Sequence, residues 1–192
     1  MPWLIILVGY FLGAIPTAYI AGRLHKGRDI QQMGAGNVGA ANAFRQLGPK
    51  SGVTVGIIDA GKGALAIIIA QTASLTEVAV LFTGVAAVMG HNWSAFIGFR
   101  GGRGLSTTIG VLLALITQPM LILATPALAT LFIKRNVIIA SCVLFIPLPL
   151  LCWWLGVPGV LISYSVALPS LVGITDLVKR RQLAHTSGAG SA

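Results

Sequence analysis

Residues 105–135 read LSTTIGVLLALITQPMLILATPALATLFIKR, and the fold turns on how they are divided. Two apolar runs, 105–117 and 120–133, flank Gln118-Pro119 and end at Lys134-Arg135. As one long helix they would carry Lys134 and Arg135 across a membrane from Arg100 and Arg103. As two short spans they bring the chain back to the side it left. Working outward, further apolar runs lie at 3–21, 52–71, 77–97, 137–155 and 158–177. Each is close to the ~20 residues that cross a hydrocarbon layer of about 30 Å. The basic residues gather between them in four clusters: Arg23, Lys26, Arg28, Arg45 and Lys50; Arg100 and Arg103; Lys134 and Arg135; Lys179, Arg180 and Arg181. With seven spans, twelve of the 13 Lys and Arg fall on one side, and the other is Lys62 inside the second run. An excess of Lys and Arg marks cytoplasmic loops. The spacing therefore predicts an all-α polytopic membrane protein with seven transmembrane helices, N-terminus outside and C-terminus cytoplasmic. A six-span chain would break that asymmetry.

Composition agrees. Charged residues make up 9% of the chain and hydrophobic ones 56%, whereas a soluble domain carries about a quarter charged residues. Seven spans use nearly the whole length, so the expectation is one membrane domain, 1–182, and a disordered tail, 183–192. The net charge of +9 reads as membrane orientation, with no nucleic-acid partner. No basic residue precedes the first apolar run, so that run is expected to stay as a helix. Cys142 and Cys152 lie within an apolar run without C-x-x-C spacing and are expected to be inert. No metal site is expected.

Chemistry is concentrated in the loops. The first, MGAGNVGAANAFRQLG at 33–48, carries Gly34, Gly36, Gly39 and Gly48. Such loops present backbone N–H groups to anions, phosphate above all. Asn37 and Asn42 add amide donors, and Arg45 adds a planar fork suited to phosphate oxygens. The second loop, MGHNWSAFIGFRGGRGLSTT at 89–108, sets Arg100 and Arg103 among Gly101, Gly102 and Gly104, with Ser106, Thr107 and Thr108 opening the next helix. A helix N-terminus favours an anion. Either loop alone is a weak signal, since it reads equally well as a closely packed turn; two on one membrane face indicate a phosphorylated substrate. His91, beside Trp93, is a candidate base or an interfacial anchor. Asp59 and Lys62, at i and i+3 in the second run, would meet as an ion pair, structural or in the site. The acyltransferase signature H-x-x-x-x-D does not occur at His91.

These segments resemble the acyl-phosphate:glycerol-3-phosphate acyltransferases, the PlsY family. GAGNVGAANAFRQLG resembles that family's GSGNxGATNxxRxxG, GHNWSAFIGFRGGRG its GHxxPxFxxFxGGKG, and DAGKG its DxxKG. The resemblance implies a seven-helix enzyme at the cytoplasmic face of the cell inner membrane. It would pass a fatty acyl group from acyl phosphate to the 1-hydroxyl of sn-glycerol 3-phosphate, giving lysophosphatidate and phosphate for phospholipid synthesis. No metal or other cofactor is implied. By matched position, His91, Arg103 and Ser141 would be catalytic; Gly36, Asn37, Asn42, Arg45, Gly101, Gly102, Gly104 and Thr107 would bind substrate. The chain departs from the pattern at Ala35 for Ser, Ala95 for Pro, Ile138 for Ser and Arg103 for Lys. In ITDLVKRRQL neither the His nor the Asn of the family's His-x-Glu-Asn segment occurs. The alternatives are a divergent or inactive paralogue that binds phosphorylated lipid precursors, and a small organic-phosphate transporter.

Overall fold

The computed structural model describes residues 1–188, and regular structure among them is helical throughout. Ten α-helices follow in order: α1 Pro2–Ala14, α2 Thr17–Lys26, α3 Ala40–Leu47, α4 Pro49–Thr72, α5 Glu77–Asn92, α6 Leu105–Leu115, α7 Thr117–Lys134, α8 Val137–Phe145, α9 Leu148–Trp154 and α10 Gly159–Gly188. Short 3₁₀ turns occupy Ile30–Gln32 and Ala95–Ile97. Six segments among the described residues are long and apolar enough to cross a membrane: Pro2–Lys26, Pro49–Thr72, Glu77–Ile97, Thr117–Lys134, Val137–Trp154 and Gly159–Lys179. Leu105–Leu115 is apolar but shorter.

Prolines explain where the observed elements part from the apolar runs. The first run breaks at Ile15-Pro16, between α1 and α2, and the sixth breaks at Ile146-Pro147, between α8 and α9. A proline inside a helix lacks the N–H that the ladder needs. Gln118-Pro119, expected as a turn, instead lies in the first turn of α7, and the break falls at Ile116. The first N–H groups of a helix have no intrahelical partner, so Pro119 loses nothing there. α10 continues to Gly188, while the end of the expected tail, 189–192, lies outside the described residues.

Small residues bring the helices close. A Cβ at Gly13 would strike Ala87 O, and one at Gly90 would strike Tyr10 O, so α1 and α5 touch backbone to backbone. Gly63 against Thr107 O and Gly110 against Ala60 O do the same for α4 and α6. In lipid there is no hydrophobic drive between apolar helices, so such close contact supplies much of the association. Ile67, Val88, Val111, Leu112, Met120, Leu148 and Leu168 fill the core between them. Leu4, Phe11, Ile57, Phe82, Phe132 and Trp153 face outward, as lipid-facing side chains do. The arrangement places the glycine-rich loops 33–48 and 89–108 at one end of the α1–α4–α5–α6 group.

Candidate active site

The site begins with charge buried inside the bundle. Asp59 Oδ1 and Lys62 Nζ lie 2.9 Å apart on α4, with 2% and 5% of their side chains exposed. Neither sits in isolation. Thr17 Oγ1 donates to Asp59 Oδ1 at 2.9 Å, and Lys62 Nζ donates to Ile15 O at 2.9 Å. The ion pair thus knits α4 onto the proline break between α1 and α2. On the far side His91 Nδ1 stands 3.7 Å from Asp59 Oδ1, a charge-bearing neighbour beyond hydrogen-bond range.

His91 also meets the second loop. Gly102 N donates to His91 O at 2.9 Å, and a side chain at 102 would run into His91 Nε2 and Val38 O. The imidazole therefore has Nδ1 toward Asp59 and Nε2 toward Gly102. Val38 belongs to the first loop, so the two glycine loops are in contact. Gln31 Nε2, in the 3₁₀ turn just before the first loop, donates to Arg100 O of the second at 2.9 Å.

The C-terminal helix completes the enclosure. Arg103 Nη1 and Asp176 Oδ1 are 2.6 Å apart. Lys179 Nζ donates to Asn92 O at 2.7 Å, to Gly101 O at 3.0 Å and to Gly102 O at 2.5 Å. Asn92 Nδ2 donates to Thr175 Oγ1 at 3.3 Å. Behind the loop, α6 starts from Gly104, whose φ of 82° is left-handed; a glycine takes that conformation without the strain a Cβ brings. Thr107 and Thr108 are fully buried in the first turn of α6, and their hydroxyls make no hydrogen bond among the described residues. The whole forms a basic, glycine-lined corner at a helix N-terminus, closed on three sides by α4, α5 and α10.

The glycerol-3-phosphate acyltransferase family model matches residues 3–182. The chain belongs to the glycerol-3-phosphate acyltransferase family. Among curated relatives, glycerol-3-phosphate acyltransferase 4 of Dehalococcoides mccartyi is 47% identical, over 95% of this chain and 98% of its own. Glycerol-3-phosphate acyltransferase 1 of the same organism is 39% identical, over 92% of this chain and 88% of its own. Among solved structures, PlsY, an integral membrane glycerol 3-phosphate acyltransferase, superposes in its glycerol 3-phosphate form with a TM-score of 0.81 at 30% identity, covering 98% of this chain and 92% of that one. Its lysophosphatidic acid form gives 0.77 at 29% identity. The resemblance read from the loop motifs is thus a family relationship, in an integral membrane fold.

In this acyltransferase-family chain the residues singled out by sequence fall into three groups. His91, Arg103, Gly101, Gly102, Gly104, Thr107, Asp59 and Lys62 meet in or against the corner just described. Gly36, with φ of 64°, and Asn37 lie in the first loop beside Val38, while Arg45 is exposed on α3. Asn42 has an organising position: its Nδ2 reaches Met33 O and Asn37 O, both at 3.0 Å, and its Oδ1 accepts from Ala35 N at 3.2 Å. One buried amide thereby shapes the backbone around Gly34 and Gly36. Ser141 stands apart, its Oγ donating to Val137 O one turn back on α8 at 2.7 Å. Sequence reasoning missed Thr17, Thr175, Asp176 and Lys179. Thr175, Asp176 and Lys179 lie in ITDLVKRRQL, read for the His and Asn it lacks and for its basic cluster, and nothing in spacing distinguishes an inward Lys from one that snorkels outward.

Proposed function

We propose that the chain transfers the fatty acyl group of acyl phosphate to the 1-hydroxyl of sn-glycerol 3-phosphate, releasing lysophosphatidate and phosphate. The observation that carries this reading is the corner where Arg103, the Gly101–Gly104 backbone and the buried Thr107 and Thr108 hydroxyls converge on the α6 N-terminus. Donors and a guanidinium fixed at a helix N-terminus suit phosphate, which both substrates carry and which is also the leaving group. In the reaction the hydroxyl oxygen attacks the acyl carbon, the bond from acyl carbon to phosphate oxygen breaks, and the hydroxyl proton passes to a base. His91, with Asp59 behind Nδ1 and Nε2 turned to the loop, is the proposed base; Arg103 with the Gly101–Gly104 backbone, and Arg45 with Asn37 and Gly36, hold the phosphate of the acceptor. Preorganised donors of this kind act by stabilising charge that develops in the transition state.

The test is purified protein supplied with acyl phosphate and glycerol 3-phosphate, with released phosphate and lysophosphatidate measured together. Equal yields of the two are expected. Arg45→Ala and Arg103→Ala should each weaken glycerol 3-phosphate binding by about 1.5–3 kcal/mol, as for a lost charged hydrogen bond. Unchanged affinity in both variants would return these charges to a role in membrane orientation alone.

We further infer seven crossings of the inner membrane, N-terminus out and C-terminus in, with the site facing the cytoplasm. The four basic clusters support this, and so does the pairing of a short α6 with the recessed loop before it. Reporter fusions after Lys50, Arg103, Arg135 and Arg181 should score cytoplasmic, and those near Ser74 and Gly156 external. An external score at Arg135 would defeat the seven-span arrangement.

A further inference from the structure

Lys179 is the residue whose geometry the reaction above leaves unexplained. A lysine near the end of an apolar helix ordinarily extends along the lipid and leaves its ammonium among the headgroups. Here Nζ turns inward and delivers hydrogen bonds to Asn92 O, Gly101 O and Gly102 O, with the Trp93 ring 5.8 Å away. An ammonium has three donors, so its donors match the three carbonyls.

Capturing carbonyls orients the opposite side of each peptide. In a planar trans peptide the C=O of one residue and the N–H of the next point in opposite directions. The Gly101 carbonyl is drawn to Lys179 while the N–H of the same peptide, on Gly102, goes to His91 O at 2.9 Å. That peptide is gripped from both sides. The next one has its Gly102 carbonyl on Lys179, which turns the Arg103 N–H away from α10. One turn earlier on the same helix, Thr175 meets Asn92 and Asp176 meets Arg103. ITDLVKRRQL thus reaches the loop through Thr175, Asp176 and Lys179, although it lacks the family's His and Asn.

We propose that Lys179 is a positioning residue for the acceptor site: by gathering the Asn92, Gly101 and Gly102 carbonyls onto one ammonium, it sets the glycine loop in the conformation that receives the phosphate of glycerol 3-phosphate. The inference rests on the acyltransferase reading above. It assigns Lys179 no contact with substrate; its effect passes through the backbone that carries Arg103.

The experiment compares the full-length protein with Lys179→Met, Lys179→Gln and Lys179→Arg in detergent, measuring KM for glycerol 3-phosphate, kcat and the thermal midpoint of each. KM does not depend on the fraction of active protein, so it separates positioning from simple loss of fold. Lys179→Met should raise the KM roughly 10-fold or more, the lower range for a lost charged hydrogen bond. Lys179→Arg, which keeps a cation and donors, should restore most of it. Lys179→Gln keeps two neutral donors on a shorter stem and should also raise KM; it decides the matter if the Met variant does not fold. An unchanged KM in either neutral variant, with activity falling only as folded protein is lost, overturns the inference and leaves Lys179 a structural tie. A parent protein that neither binds glycerol 3-phosphate nor turns over overturns the acyltransferase reading itself, and this inference with it.

Discussion

Lys62→Met should lower the stability of the protein in detergent by about 3–5 kcal/mol, the usual cost of removing one partner from a buried ion pair. The reason is the environment of Asp59, whose side chain is 2% exposed. Without Lys62 its carboxylate keeps, among the described residues, only the Thr17 hydroxyl as a hydrogen-bond donor, with His91 Nδ1 farther off at 3.7 Å. Ile15 O, at the proline break, loses the Lys62 ammonium as well. Replacing both charges should recover much of the loss, because a buried pair and a well-packed apolar substitute are often near in energy. Thermal unfolding of Lys62→Met, Asp59→Leu and the double variant measures this. A Lys62→Met midpoint equal to the parent's would show that the pair carries no structural weight. The double variant, though refolded, should remain slow, since it no longer has the carboxylate that faces His91.

His91→Ala should lower kcat by roughly 10²–10⁴-fold, the range for a positioned proton acceptor, with a smaller change in the KM for glycerol 3-phosphate. The imidazole stands between two fixed neighbours, Asp59 at 3.7 Å from Nδ1 and the Gly102 backbone on the Nε2 side. A carboxylate near Nδ1 favours the proton there and leaves the Nε2 lone pair to accept one. His91→Gln fills much of the same space without a comparable base, so a base role predicts that it stays as slow as the alanine variant. Recovery in His91→Gln would reassign the residue to bracing the loop. Full activity in His91→Ala would leave charge stabilisation by Arg103 and the loop backbone to carry the step.

The sequence revealed the parts of this site that declare themselves by local pattern. Asp59 and Lys62 lie at a spacing where helical neighbours meet, and they do meet. The glycine loops stood out as motifs, and they do come together, at Gly102 and Val38; their residues alone left open whether they receive an anion or only pack closely. Contacts made across the fold were not recognisable. Nothing near Thr17 indicates that it will donate to a carboxylate 42 positions away. Asn42 read as a ligand because a loop amide between glycines has two uses, and only the fold reveals that its donors go to the loop's own carbonyls. The division at Gln118-Pro119 misjudged local geometry for a physical reason: proline is tolerated in a first helical turn as well as between helices, so the residue type alone does not choose.

The depth of the glycine loop bears on how a lipid is handled. Asp59 is ten residues beyond the start of α4, ~15 Å along a helix that rises 1.5 Å per residue. His91 is near that level and joined to Gly102, so the corner lies ~15 Å along α4 from its start, at the level where α5 ends. An enzyme with its anion site at the water's edge must draw part of a fatty tail out of hydrocarbon to reach the reactive head. Each methylene withdrawn costs roughly 0.8 kcal/mol, and a few of them would outweigh any single contact in the site. On the acyltransferase reading proposed above, a corner set this far along α4 reduces that cost, because the nearer an anion site lies to hydrocarbon, the fewer methylenes must leave it for the reactive head to arrive.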